Sequence, residues 1–180
     1  IGLGIMGSAM SANLIRAGFN VAGYDLAARR RKEHKNAGGT AARNCREVAR
    51  SCEIIVTSLP SADALLNTAK NLAESARPGQ IVIEASTLPI PVKEEARGLL
   101  SARGVILLDC PLSGTGAQAR AKDLVVYASG DRKAYRRAIP VLQGFARAHY
   151  YIGAFVAVSK RNFFAILALA IHNVAATEAN

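Results

Sequence analysis

Gly2-Leu3-Gly4-Ile5-Met6-Gly7, followed by Val21-Ala22-Gly23-Tyr24-Asp25, is the stretch on which the fold turns. The first part matches G-x-G-x-x-G. There the first glycine allows a tight turn, the second lets a pyrophosphate reach the backbone, and the third permits close helix packing. A helix starting at such a turn presents free N–H groups and the positive end of its dipole to phosphates. The second part reads as a β-strand ending in an acid. It lies at about the 20-residue spacing at which a carboxylate meets the ribose hydroxyls of a dinucleotide. Three glycines alone are a weak signal, but strand and acid in register predict a dinucleotide site. Asp25 favours NAD, because a carboxylate repels a 2′-phosphate. Arg29 and Arg30, just downstream, partly offset that repulsion and leave NADP open.

Outward from this turn, short β-rich runs alternate with amphipathic stretches. Strands are predicted at residues 21–24, 54–58, 80–84, 105–110, 124–128 and 150–152. Helices are predicted at residues 8–17, 27–37, 61–76, 91–103 and 131–142, closed by Gly18, Gly38-Gly39, Pro78-Gly79 and Gly104 where such residues stand. The alternation predicts an α/β fold with a Rossmann-type, doubly wound, mostly parallel sheet. The pattern changes near residue 157. Phe163, Phe164, Ile166, Leu167, Leu169, Ile171 and Val174 surround the last helical stretch, and a helix apolar all round is buried on all sides. The boundary is therefore expected at Gly153, with a dinucleotide-binding domain at 1–153 and the start of a further helical element at 154–180. The chain opens at Ile1 beside a motif that ordinarily follows a strand, and stops at Asn180 within a helical pattern, so a longer protein is expected.

Composition narrows the class. The 180 residues are 51% hydrophobic and 20% charged, which suits a globular chain of one domain or one and part of another. No apolar run reaches the ~20 residues of a membrane span, and no secretory leader is expected. Cys45, Cys52 and Cys110 form no CxxC pair, which points to reduced thiols in a cytoplasmic protein and to no metal site. The net charge of +10 comes from 23 basic and 13 acidic residues. Only Arg29-Arg30-Arg31-Lys32 forms a run, and no aromatic residues interleave with it as a stacking platform requires. A solvated basic exterior is the favoured reading, and a nucleic-acid partner the least favoured.

Three more loops fall beyond the carboxyl ends of strands, where doubly wound sheets gather ligand contacts. They are Ser58-Leu59-Pro60, Ala85-Ser86-Thr87 and Asp109-Cys110-Pro111-Leu112-Ser113-Gly114-Thr115-Gly116. Small and hydroxylated residues in the last leave backbone N–H groups open, as a carboxylate site needs. His34, His149 and His172 stand without partners at metal or triad spacing and are expected on the surface or in packing. Ser86 and Ser113 lack a His/Asp partner, so nucleophilic hydrolysis is not expected.

In order and spacing, residues 2–7, Asp25, Leu59-Pro60, Ser86-Thr87 and Asp109-x-Pro-x-Ser-Gly resemble the β-hydroxyacid dehydrogenases. This is the group of 3-hydroxyisobutyrate dehydrogenase and tartronate semialdehyde reductase, with 6-phosphogluconate dehydrogenase and imine reductases more distant. The resemblance implies a Rossmann domain, then a long helix into an all-helical domain that dimerises. It implies an NAD(P)-dependent oxidoreductase moving hydride between nicotinamide and a small β-hydroxy acid or semialdehyde. Carried over by position, Gly2, Leu3, Gly4, Ile5, Met6, Gly7, Asp25, Leu59, Pro60 and Thr87 line the cofactor. Ser113 and Gly114 hold the substrate carboxylate, with Thr115 where many members have a second glycine.

One motif departs from the family. Where members show Gly-x-Gly-x-x-x-Lys-x-x-x-Asn, this chain has Val156, Val158, Asn162 and Ile166. The family lysine exchanges a proton with the substrate oxygen, whereas asparagine donates a hydrogen bond but has no proton to give. Lys160 lies two residues earlier, turned by about 200° on a helix. Asn162, Lys160 and Ser113 are thus the residues expected nearest the chemistry. The departure keeps two alternatives open: an imine reductase using NADPH, and a dinucleotide-binding protein with impaired catalysis.

Overall fold

The structure is a computed structural model, and it describes residues 1–160. Asn162, Ile166, His172 and the apolar stretch from Phe163 onward lie outside the described residues.

The sheet explains where the loops gather. Strands β1 (Ala22–Gly23) and β2 (Thr40–Ala41) pair in parallel. Strands β3 (Ile54–Thr57), β4 (Ile81–Glu84) and β5 (Ile106–Asp109) form a second parallel set, with Ile54, Ile81 and Ile106 in one row. The two sets meet through the first residues of the chain. Gly2 N donates to Tyr24 O at 2.9 Å, and Ser58 N donates to Ile1 O at 3.0 Å. Beyond β5 the direction reverses. Strand β7 (Val125–Ser129) runs antiparallel to β5 and to the short β6 (Leu112–Ser113), while β8 (Ala148–Gly153) pairs with β7 in parallel. The expected mostly parallel sheet is present, with the reversal at β6 and β7 added to it.

Two-residue periodicity decides the layering. On β4, Ile81 and Ile83 face one helical layer and Val82 faces the other, and all three are buried. The first layer holds α1 (Ile5–Arg16), α6 (Gly116–Arg120) and α7 (Arg132–Phe145), which bring Met10, Leu14, Ala119, Leu142 and Phe145 to the core. The second holds α3 (Cys45–Ser51), α4 (Ala62–Ala73) and α5 (Ile90–Ser101), with Val48, Leu65, Leu72 and Leu100. The remaining helix, α2 (Ala28–Asn36), presents only His34 to the interior. Burying apolar side chains on both faces of a sheet is what an α/β chain of this pattern does.

Several boundaries shift from the sequence reading. Helix α1 starts at Ile5, not residue 8, because extended Gly4 serves as its N-cap. Helix α7 runs past residue 142 to Phe145 despite Pro140 inside it, since Phe145 has no exposed surface. Strands β2 and β6 and helices α3 and α6 have no counterpart in that reading. His34 is a packing residue: its Nδ1 lies 2.9 Å from Ser11 Oγ and its Nε2 3.1 Å from Val21 O. No helix among the described residues is long and apolar enough to cross a membrane.

Candidate functional site

The glycine turn is built from two tight positions and one open one. Gly2 has φ +83, and a Cβ on it would fall 2.2 Å from the Ser58 carbonyl oxygen. A Cβ on Gly7 would fall 1.8 Å from the Gly2 carbonyl oxygen. At Gly4 the same atom would meet only Arg30 Nη1, at 4.0 Å. The backbone is therefore packed at Gly2 and Gly7 and open at Gly4, where a pyrophosphate approaches in a dinucleotide turn. No side chain caps the N-terminus of α1, so its first amides and dipole suit an anion. These residues fit a dinucleotide.

Asp25, just beyond β1, is nearly buried and held from three sides. Its Oδ2 accepts from Leu3 N at 2.8 Å, and its Oδ1 accepts from Ala27 N at 2.8 Å. Arg30 Nη1 lies 3.3 Å from Oδ2. Burial pushes the carboxyl upward, but the Ala27 and Leu3 amides and the Arg30 guanidinium outweigh it and hold it below its usual value. Of the two arginines expected to offset Asp25, only Arg30 faces the turn. Arg29 reaches Glu33 on the exposed side of α2 at 3.6 Å. Arg31 donates to the carbonyls of Asp25 and Leu26, which fastens the loop under them.

The other expected residues collect along the same sheet edge. The Leu59 side chain approaches Gly2, and Leu59 N donates to Ser86 Oγ at 2.8 Å, joining the loops after β3 and β4. Pro60 and Thr87 are exposed beside them. Ser113, Gly114 and Thr115 are also exposed, and α6 behind them is anchored to α1 by Asn13 Nδ2 donating to Ala119 O at 2.7 Å. Gly114 has φ +137, and a Cβ there would come within 2.7 Å of Leu124, so a side chain is excluded. Thr115 has a local task instead of an open hydroxyl. Its Oγ1 accepts from Gln118 N at 3.3 Å while its N–H donates to Gln118 Oε1 at 2.9 Å, a capping box for α6.

Val156 answers part of the question posed by the departing motif. It stands at φ +59, a left-handed conformation that a β-branched residue rarely adopts, and it is buried. The backbone there keeps the shape a glycine takes, at the position where the resemblance expects glycine. Val158 is buried as well, and Lys160 is exposed in the helical stretch at residues 157–160. Sequence reading passed over Lys93, which is buried between two carboxylates behind the Ser86 loop.

Comparison with known proteins then decides the family. The family described as the NAD binding domain of 6-phosphogluconate dehydrogenase matches residues 1–153. The chain belongs to this family. The L-threonate dehydrogenase of Cupriavidus necator is 34% identical over 183 residues, covering 99% of this chain and 62% of that protein. The structure of a Mycobacterium tuberculosis 3-hydroxyisobutyrate dehydrogenase with L-serine has a TM-score of 0.94 at 31% identity, covering 99% of this chain and 61% of that one. The imine reductase of Myxococcus stipitatus, in complex with NADP+, reaches a TM-score of 0.85 at 17% identity, covering 98% of this chain and 61% of that one. At that identity the likeness is one of fold. The chain thus spans about three fifths of the length of the relatives it matches.

Proposed function

We propose that this chain is the cofactor-binding part of an NAD(P)-dependent dehydrogenase acting on small β-hydroxy acids or their semialdehydes. The observation that carries it is the open Gly4 turn at the uncapped end of α1, with Asp25 pinned beside it by Leu3 N and Ala27 N. When bound, the dinucleotide supplies the hydride acceptor or donor. The chain's own residues do the rest. Gly2, Leu3, Gly4, Ile5, Met6 and Gly7 receive the pyrophosphate, and Asp25 accepts from the adenosine ribose hydroxyls. Leu59, Pro60 and Thr87 border the far end of the cofactor groove. Ser113 and Gly114 hold the substrate carboxylate, with Thr115 shaping that loop by capping α6. Asn162 or Lys160 stands nearest the reacting oxygen, and only Lys160 has a proton to exchange there.

The domain boundary belongs at Gly153, with residues 154–180 leading towards a helical domain through which the protein forms a homo-oligomer. The protein works in the cytoplasm, a placement supported by its three free thiols, and its partner is the small carboxylate rather than nucleic acid.

The test is direct. NADH and NADPH are titrated against the full-length protein by fluorescence, and NADH oxidation is followed with a panel of small semialdehydes. Binding of one dinucleotide and turnover of a semialdehyde are expected, and a protein that binds neither dinucleotide rules the proposal out. Asn162→Lys extends the test. A gain of about 10²–10⁴ in rate is expected if position 162 faces the reacting oxygen, since that is what general acid–base help is worth. If the parent already turns over well and Asn162→Lys brings no gain, the proton comes from Lys160 or from a group outside this sequence.

A further inference from the structure

Lys93, in the first turn of α5, has no exposed surface, and neither do Glu84 and Asp109. Glu84 ends β4 and Asp109 ends β5, directly opposite each other in the ladder. Two carboxylates so placed repel, and Lys93 Nζ sits between them, 2.7 Å from Glu84 Oε2 and 2.6 Å from Asp109 Oδ1. Its third contact is to the Ser86 carbonyl, at 2.8 Å. An arrangement with two buried anions and one cation costs desolvation energy that an apolar cluster of the same size would not. Its members must therefore be judged by what they hold in place.

What they hold is both ends of the catalytic edge. On one side, Glu84 Oε1 accepts from Ser86 N at 2.8 Å, and Ser86 Oγ in turn accepts from Leu59 N. The loops after β3 and β4, which border the cofactor groove, are thus tied to Glu84 and Lys93. On the other side, Asp109 Oδ1 accepts from Ser159 Oγ at 2.9 Å and Oδ2 from Ser159 N at 3.3 Å. Ser129 Oγ adds a further bond to Asp109 Oδ2, at 3.3 Å. Ser159 immediately precedes Lys160, proposed above to stand near the reacting oxygen, in the helical stretch at residues 157–160. A continuous path of hydrogen bonds therefore runs from Leu59 through Ser86, Lys93 and Asp109 to Ser159, part-buried at its two ends and buried and charge-assisted at Lys93.

We propose that Lys93, Glu84, Asp109 and Ser159 are positioning residues that fix the helix after residue 157 against the Ser86 loop, and so set the distance between proton donor and cofactor. The claim builds on the dehydrogenase proposal above. None of the four touches the reacting atoms; they act through Lys160, next to Ser159, and through the loop at Ser86-Thr87.

Lys93→Met leaves two carboxylates facing each other in the core and is expected to unfold the protein, so Ser159→Ala is the informative variant in the full-length protein. It removes the hydroxyl bond to Asp109 and leaves the buried cluster intact. Dinucleotide affinity and melting temperature should stay within about twofold and a few degrees of the parent, while kcat falls about tenfold, the equivalent of one charge-assisted hydrogen bond. Ser159→Thr, which keeps the hydroxyl, should restore kcat. Independently of turnover, amide hydrogen exchange at Ser86 and Leu59 should speed up in Ser159→Ala, because the path joins them. Unchanged kcat with unchanged exchange at Ser86 overturns the proposal, as does a kcat loss that Ser159→Thr shares. A parent that binds neither dinucleotide sinks the dehydrogenase proposal by itself, and the exchange measurement alone then decides whether the path couples its two ends.

Discussion

Val156 concentrates, in one residue, the tension between this chain and its family pattern. A left-handed φ costs a β-branched residue about 1–3 kcal/mol, while burial of its side chain returns about 2 kcal/mol. Val156→Gly is therefore expected to leave stability within about 1 kcal/mol of the parent. Val126→Gly, which empties a buried position in regular strand geometry, should cost about 3 kcal/mol. Denaturant titration of the two variants checks the contrast, and equal losses would mean that position 156 carries no strain. Arg30 is the second residue whose environment makes a forecast. Its guanidinium borders the open face of Gly4 and also Asp25, beside which a 2′-phosphate would arrive. Arg30→Ala should weaken NADPH binding about tenfold more than NADH binding, and parallel fluorescence titrations measure the ratio. Arg29→Ala, on the outer side of α2, should leave that ratio unchanged. The sequence placed both arginines near the acid, but which of them turned inward depended on the phase of α2, set by the burial of His34.

Among the elements, α2 and the strands beside it are fastened by that histidine. Gly23 and Gly39 lie against its ring so closely that a Cβ on either would come within 2.6 Å. Burial keeps His34 neutral and lowers its pKa, outweighing the hydrogen bonds that favour the charged form. The unfolded chain then binds a proton at higher pH than the folded one. Stability from this site is full above the ordinary histidine value of about 6.5 and is lost as pH falls through the lower folded value. Melting temperature should decline between pH 7 and 5, and His34→Gln, which takes up no proton there, should flatten that slope. Asp25 acts in a separate window: its folded pKa is depressed, so its contribution holds above about 3.9 and disappears only in stronger acid.

Helices with glycine or proline at their ends were legible because the stop is chemical: Gly18, Gly38, Gly79 and Gly104 all adopt positive φ. Two helices that escaped the sequence reading also left marks. Thr115 and Gln118 spell a capping box before α6, and Asn44, whose side chain accepts from Glu47 N, caps α3. Each helix is too short for its apolar spacing to show. The two-residue strands β2 and β6 have no period at all and exist only because a neighbouring strand offers them a ladder.

At the scale of the molecule, the order of motifs gave the fold because every ligand loop follows a strand of the same sheet edge. What the order did not reveal is the cluster around Lys93. A lysine followed by two glutamates in the sequence of an amphipathic helix reads as solvated, as its neighbours Glu94 and Glu95 are; only the fold turns it towards Glu84 and Asp109. Among the described residues, the surplus of positive charge is spread over the exterior. Retention of the protein on DNA at 50 mM salt, if seen, should fall by about 10³ or more at 200 mM, and a gel shift that survives would restore nucleic acid as a partner.

The three cysteines have a practical use. Cys45 and Cys110 are buried, and burial raises both thiols, Cys110 well above its ordinary value. Cys52, at the end of α3, keeps partial exposure. Of these three, Cys52 is therefore the one a maleimide dye should reach first, which gives labelling work a defined attachment point beside α3.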